Sequence, residues 1–361
     1  MDMLQFKALP RLSKVHSQSR RQLMGSAALL ISLLWAFPSQ AQSQTATLKE
    51  VRLALPGPGS AVSLPLELAV GLGLDRAEGL KMHLKFVAGG AVAISDLQAS
   101  DVEFGVFGLP AAMAAHLKDE RLVALAPLED QGLWVMMVRS DLKSSVRKVA
   151  DLRGKRIGVH SNSLTNRTTG DQITQMVLSS HGIAEGDARL VSAGQNWESQ
   201  TAALLSASVD AVMTDEPMAS RMLSEKIAYP IFSMANPVDA KETPGAGFLR
   251  ATLIGRKDRI EADPLTAERS VNVIKRVLEW MAGHTPEQIA DQLGLNAGVE
   301  RTSFIAVSHK YPRQYSRDAK FSAKQLAETD IFFRSSNPDN VPAQSFSVNS
   351  MLMDRWAGRK P

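Results

Sequence analysis

Residues 207–220 read ASVDAVMTDEPMAS: an apolar run closed by two adjacent carboxylates, Asp215 and Glu216, with Pro217 opening a helix. Such a pair could be an acid and a base, metal ligands, or part of a binding loop. A glycosidase pair fits poorly, because adjacent residues project differently and such carboxyls stand about 5–9 Å apart across a sugar. The histidines beyond residue 41 are His83, His116, His160, His181, His284 and His309, and none forms HxxxH or HExxH. GPGSAV lacks the second glycine of a GxSxG nucleophile elbow. The absence of cysteine excludes disulfides, thiol catalysis and Cys-ligated metals. No enzyme, metal site or cofactor is therefore expected. Binding loops remain. Gly57, Gly59, Gly89, Gly90 and Gly108 let backbone approach a ligand, and Ser60, Ser161, Asn162 and Ser163 place polar groups at helix starts. Each is equally suited to be a turn glycine or a helix cap. Trp134, in QGLWVMMV, suits either a core or a cleft wall. Arg167 could clamp an anion, but a position inside a helix favours a solvated charge.

The elements that must position these residues alternate. VRLALP at 51–56 predicts a strand and LPLELAVGLGL at 64–74 a helix. MHLKFVAGG is a strand into a glycine turn, 91–99 a helix, VEFGVFG at 102–108 a strand, and PAAMAAHL at 110–117 a helix with Pro in its first turn. LVALAPL and LWVMMVR complete this half. The rhythm restarts with KRIGVHSNS at 155–163, a helix to about Ser180, ARLVSA, the helix WESQTAALLSA, VDAVMT and the helix PMASRMLSE. This alternation predicts parallel sheets with helices on both faces.

The restart is also a repeat. VEFGVFGLPAAMA (102–114) aligns without a gap on VDAVMTDEPMASR (209–221), with Val102 on Val209, Glu103 on Asp210 and Pro110 on Pro217. Asp215–Glu216 is then the counterpart of Gly108–Leu109. A similar offset pairs PGPGS at 56–60 with HSNS at 160–163. In an open α/β sheet ligands bind beyond the carboxyl ends of the strands. Two facing lobes of this kind would bring both sets of loops to one cleft.

The first 41 residues read differently. SRRQLM at 19–24 leads into an apolar stretch from Leu23 to Phe37, followed by Pro38, Ser39, Gln40 and Ala41. This order of basic, apolar and small residues predicts a secretory signal cut after Ala41. The apolar run, broken by Gly25, Ser26 and Ser32, is shorter than the ~20 residues that span a bilayer. Ser19-Arg20-Arg21-Gln22-Leu23 resembles a twin-arginine export motif, although two arginines also suit the general secretory route. Five of the 41 basic residues and one of the 37 acidic residues lie in this segment, so the formal net charge of +4 belongs to it. A charge-balanced remainder gives no reason to expect nucleic acid or anionic membrane as a partner.

One resemblance covers residues 48–335. The order LQASDVEFGVFGLPAAMAAHLKDERLVALAPL, SDLKSSVRKVADLRGKRIGVHSNS, LLSASVDAVMTDEPMASRML and FLRATLIGRKDRIEADPLTAERSVNVIKRVLEWM resembles the periplasmic substrate-binding proteins of nitrate, sulfonate and taurine ABC transporters and the related NMT1/THI5-like pyrimidine-precursor binders. DLRGKRIGV and VDAVMTDEPMA are its most specific parts. Thr214-Asp215 departs from it, since an aromatic is common there. The resemblance implies an α/β type-II periplasmic binding protein, with two doubly wound lobes around a ligand cleft. Lobe one would be 48–135 plus 250–361 and lobe two 136–249, joined by crossovers at LWVMMVR and FLRATLIGR. It implies a periplasmic monomer that binds a small solute and closes on it, partnered by a membrane permease and its ATPase. A ligand-sensing subunit for a membrane receptor is the alternative. The related fungal pyrimidine synthases are enzymes that carry a cysteine-rich iron motif, which this cysteine-free chain lacks. The expected ligand contacts are Ser60, Gly90, Gly108, Trp134, Ser161, Ser163 and Asp215, with Asp215 meeting an amine or a protonated ring nitrogen and Glu216 serving the helix that follows.

Overall fold

A computed structural model describes residues 47–160 and 168–361. The export signal expected in 1–41, and Ser161, Asn162, Ser163 and Arg167, lie outside the described residues. Ten strands form two five-stranded sheets. In the first, β1 (Lys49–Pro56), β2 (Leu80–Val87), β3 (Phe104–Gly108), β4 (Leu122–Pro127) and β10 (Ala251–Arg256) are ordered β2-β1-β3-β10-β4. In the second, β5 (Trp134–Arg139), β6 (Arg156–Val159), β7 (Arg189–Ser192), β8 (Ala211–Asp215) and β9 (Ala228–Ser233) are ordered β7-β6-β8-β5-β9. The two orders match element for element. The repeat is kept in register: β3 and β8 have equal length and are displaced by the same 107 residues as Pro110 and Pro217.

The sheets are mixed, which corrects the expectation of purely parallel ones. β10 runs antiparallel to β3 and β4, and β5 antiparallel to β8 and β9. Each of these strands follows a passage of the chain between the sheets, in 128–133 and 234–250. A strand that enters from the other sheet arrives at the carboxyl edge of the parallel strands and runs back along them. The first residues of β5 and β10, rather than their last, therefore stand at the edge where ligands bind in α/β sheets.

Burial follows from pleat. Along β5, Trp134, Met136 and Val138 join one apolar cluster while Val135 and Met137 join another on the opposite face, the period-2 alternation of a strand covered on both sides. Helix starts are fixed by side-chain caps. Thr168 accepts from the amide of Asp171 to begin Thr169–Ser180, and Asn196 from that of Ser199 to begin Trp197–Leu205. In the first lobe, the helix Pro264–Ala282 buries Val271, Ile274, Val277 and Leu278 against the core. The later helix Ala323–Ser335 touches both cores, Phe333 joining the first and Phe332 the second, where Phe332 stacks on Phe248 with centroids 4.2 Å apart. Among the described residues no helix is long and apolar enough to cross a membrane.

Candidate functional site

The carboxyl edges of the two sheets meet. From the first come Pro56 at the end of β1, Gly90 opening the helix Gly90–Gln98, Phe107 and Gly108 at the end of β3, and Ala111 in the helix Leu109–His116. From the second come Trp134 at the start of β5, His160 just past β6, Thr168–Gly170 at the start of Thr169–Ser180, and Gln195 beyond β7. Arg250, the residue before β10, completes the wall. They enclose about 20 Å³, room for roughly one water, which needs about 10–15 Å³ on the same measure. The edges are in direct contact. The amide of Ala111 donates to Thr169 Oγ1 at 3.3 Å, and Gln172 Nε2 donates to the carbonyl of Pro110 at 3.2 Å. A Cβ placed on Gly108 would lie 2.1 Å from Thr169 Oγ1, and one on Gly57 would lie 3.0 Å from Asn196 Cβ. Glycine is required at 108 for close approach and not for turn geometry, since its φ of −64° and ψ of 131° are open to any residue. The molecule is in a closed arrangement, and a solute larger than water requires the edges to part.

Behind the cavity sits a buried ion cluster. Arg250 donates through Nη1 to Glu129 Oε1 at 2.9 Å and through Nη2 to Asp215 Oδ2. Gln314 Nε2 also donates to Glu129 Oε1, at 3.2 Å. The guanidinium lies 4.6 Å from the Trp134 ring centroid, and the His160 ring lies 5.1 Å from Trp134, tilted by 34°. All three charged side chains are fully buried. Burial pushes Glu129 up to about 7, against the pull of Arg250 and with the help of Asp215. Burial and then the nearby Arg250 charge press His160 down to about 3, so its imidazole is neutral near pH 7. Among the described residues, Trp134 Nε1, His160 Nε2, Asp215 Oδ1 and Glu129 Oε2 are buried polar atoms without a hydrogen-bond partner. Two of these, on Trp134 and His160, belong to residues of the cavity wall. Unpaired buried polar groups are costly and mark places where something else completes the bonding.

The expected contacts divide accordingly. Gly90, Gly108 and Trp134 line the cavity. Ser60 is buried but is engaged locally, donating to Ser63 Oγ at 3.1 Å and accepting from the Ser63 amide, and it is not part of the cavity wall. Asp215 is not among the residues of the cavity wall, and it pairs with Arg250, which is. Register brings the two wall-side groups together: Asp215 pairs with Trp134 across β8 and β5, and both side chains lie beside the Arg250 guanidinium. Glu216 accepts from the amide and hydroxyl of Ser220 at 2.9 and 3.0 Å, inside the helix Met218–Ser224, and burial raises its pKa. His160 and Arg250 were absent from the expected contacts. Their signals were weak but present: a histidine directly after a strand in HSNS, and an arginine amid the apolar run FLRATLIGR. Among the described residues no three His, Cys, Asp or Glu side chains gather as a metal site.

Two mixed α/β sheets with equivalent strand order, a cleft at their carboxyl edges and two chain passages between them define the periplasmic-binding-protein class of fold. The chain belongs to the NMT1/THI5-like family, which matches residues 62–289, and periplasmic binding proteins of the nitrate and sulfonate type share its fold. A protein from Bordetella bronchiseptica RB50 superposes with a TM-score of 0.76 at 20% identity, over 85% of this chain and 95% of that one. The alkanesulfonate-binding protein SsuA from Xanthomonas axonopodis pv. citri, bound to MOPS, gives 0.63 at 17% identity over 84% and 98%. The nitrate-binding protein NrtA from Synechocystis PCC 6803 gives 0.65 at 11% over 85% and 86%. Among curated protein sequences none matches this chain.

Proposed function

We propose that this chain is an extracytoplasmic solute-binding protein that captures a small solute between two lobes and hands it to an ABC permease and its ATPase. The lobes are the expected 48–135 plus 250–361 and 136–249, except that Trp134 and Val135 go with the second sheet, and the two inter-sheet passages serve as hinges. The observation that carries the reading is the pair of unpartnered, buried nitrogens on Trp134 and His160, two residues of the wall of a cavity built from both sheets. A solute supplying those bonds would favour the closed form, and closure is the signal a permease can read. Gly90 and Gly108 serve as close-approach walls, with Ser161 and Ser163 next in the chain after His160. Asp215 acts through Arg250. The protein works in the periplasm as a monomer, after export and cleavage near Ala41.

The solute is a small organic or inorganic molecule of the sulfonate, nitrate, aromatic acid or pyrimidine type. A thermal-shift screen over these four classes tests the function. One class should raise the melting midpoint, since a ligand of the folded form alone stabilises by RT ln(1 + [L]/Kd). A solute that stabilises the protein but binds equally well after Trp134→Ala and His160→Ala would place binding elsewhere and refute the cleft.

A further inference from the structure

Among the described residues, the wall of the closed cavity holds one permanent cation, Arg250. That cation is paired by its own chain. One guanidinium nitrogen is bonded to Glu129, another to Asp215, and the Trp134 ring lies 4.6 Å from the guanidinium. Glu129 comes from the passage that precedes β5 and Asp215 from the end of β8, so both sheets contribute a carboxylate to the same arginine. Gln314 fixes the first carboxylate from a third direction. Two acids face one base. With Glu129 protonated the three groups are neutral together, and with it ionised they carry a negative charge; in neither state does this cluster offer positive charge to a ligand.

An oxyanion entering this cleft would lose its hydration and meet a guanidinium already cancelled by two carboxylates. Burying a charge is costly unless it is paired. A neutral or cationic solute avoids that cost and can still use the Trp134 N–H as a donor and the neutral His160 ring nitrogen as donor or acceptor.

We propose that Glu129, together with Asp215, sets the charge preference of the cleft: by cancelling Arg250 it turns away oxyanions such as nitrate and sulfonates and admits neutral or cationic solutes. This rests on the solute-binding function proposed above. It narrows the solute to compounds without a permanent negative charge that offer an acceptor to the indole N–H.

The test compares wild type, Glu129→Gln, Asp215→Asn and the double variant. Melting midpoints and calorimetric titrations are recorded with sodium nitrate and sodium methanesulfonate against sodium chloride at equal ionic strength. Cytosine, a neutral ring with adjacent donor and acceptor, serves as a further probe. Wild type should show no response to either anion beyond that of chloride. At least one folded variant should bind nitrate or methanesulfonate about tenfold tighter than wild type, equivalent to about 1.4 kcal/mol. Asp215→Asn, in which Arg250 is uncancelled whenever Glu129 is protonated, keeps the comparison open should the double variant not fold, whereas Glu129→Gln leaves Arg250 cancelled by Asp215 and should gain no anion affinity. Tight nitrate or methanesulfonate binding by wild type would overturn the charge preference while leaving the solute-binding function intact. No gain of anion affinity in the folded double variant or in folded Asp215→Asn would overturn it as well. If cytosine and both anions leave wild type and all variants unaffected, the charge preference is overturned, while the four-class screen continues to test the function.

Discussion

Asp215, expected from the sequence as a ligand contact, has a partner within the protein, Arg250. Its place at a strand end facing the cleft was legible in VDAVMTDEP, but its partner was not, because Arg250 lies 35 residues away in sequence. Local patterns do not report long-range ion pairs. An arginine in an otherwise apolar strand-entry segment is a hint only because such a charge must find an acid when buried. Asp215→Asn keeps the volume and one acceptor but removes a charge from the cluster. It should lower global stability by about 1–3 kcal/mol, the range for losing a charge-assisted buried bond, measured by urea denaturation. Glu216→Gln should cost less, about 0.3–1 kcal/mol for a carboxylate at a helix start. Glu129 gives a pH signature. Its folded value near 7 exceeds the ordinary 4.5, so the folded protein holds the proton more tightly than the unfolded chain. Its stabilising contribution is complete below pH 4.5 and is lost as pH rises towards 7. His160, pressed down to about 3, acts oppositely, its contribution being present above about 6.5 and lost as pH falls. Denaturation midpoints across pH 4.5–7 should therefore rise more steeply with pH in Glu129→Gln than in wild type. Parallel profiles would show that Glu129 does not hold a proton in the folded state.

At the level of elements, the strands and helices expected between 51 and 225 are present, and the 107-residue repeat placed β3 on β8 without a gap, whereas β9 and the helices beyond it carried no comparable repeat and were not read. The sense of β5 and β10 was not legible either. WVMMVR and ATLIGR are buried on both faces, and a doubly covered strand reads as the same continuous apolar run whichever way it runs. Direction is set by where the chain crosses between sheets, a property no short window contains. That sense is what delivers Trp134 and Arg250 to the cleft. The contact between Gly108 and the first turn of Thr169–Ser180 belongs to this scale too. Gly108→Ala should fold, because its backbone geometry is open to any residue, but the added Cβ collides with Thr169 as long as the edges stay closed. Solute affinity should fall by about 1–3 kcal/mol, the usual range for overpacking, and the unliganded melting midpoint should fall as well, because the touching edges carry the same clash without a solute. Calorimetry with a solute from the screen reads the first and a thermal melt the second; undiminished affinity would mean that binding does not need the edges to touch.

For the whole molecule, the resemblance drawn from DLRGKRIGV and VDAVMTDEPMA anticipated the two-lobed fold, and the family match over 62–289 agrees with it. What it could not supply is the charge logic of the cleft, which depends on residues from both passages and both sheets. The molecule is organised around that meeting point: two similar sheets, each completed by a strand entering from the other, with a buried arginine bonded to an acid from each side. In the proposed function, a solute that closes the cleft would supply the bonds missing at the nitrogens of Trp134 and His160. The most direct test of this account is the calorimetric affinity of a stabilising solute for Trp134→Phe, which keeps an aromatic ring against Arg250 but removes the indole N–H. The account predicts a loss of about 0.5–1.5 kcal/mol, the net worth of one hydrogen bond, with the protein still folded. Affinity equal to wild type would contradict it.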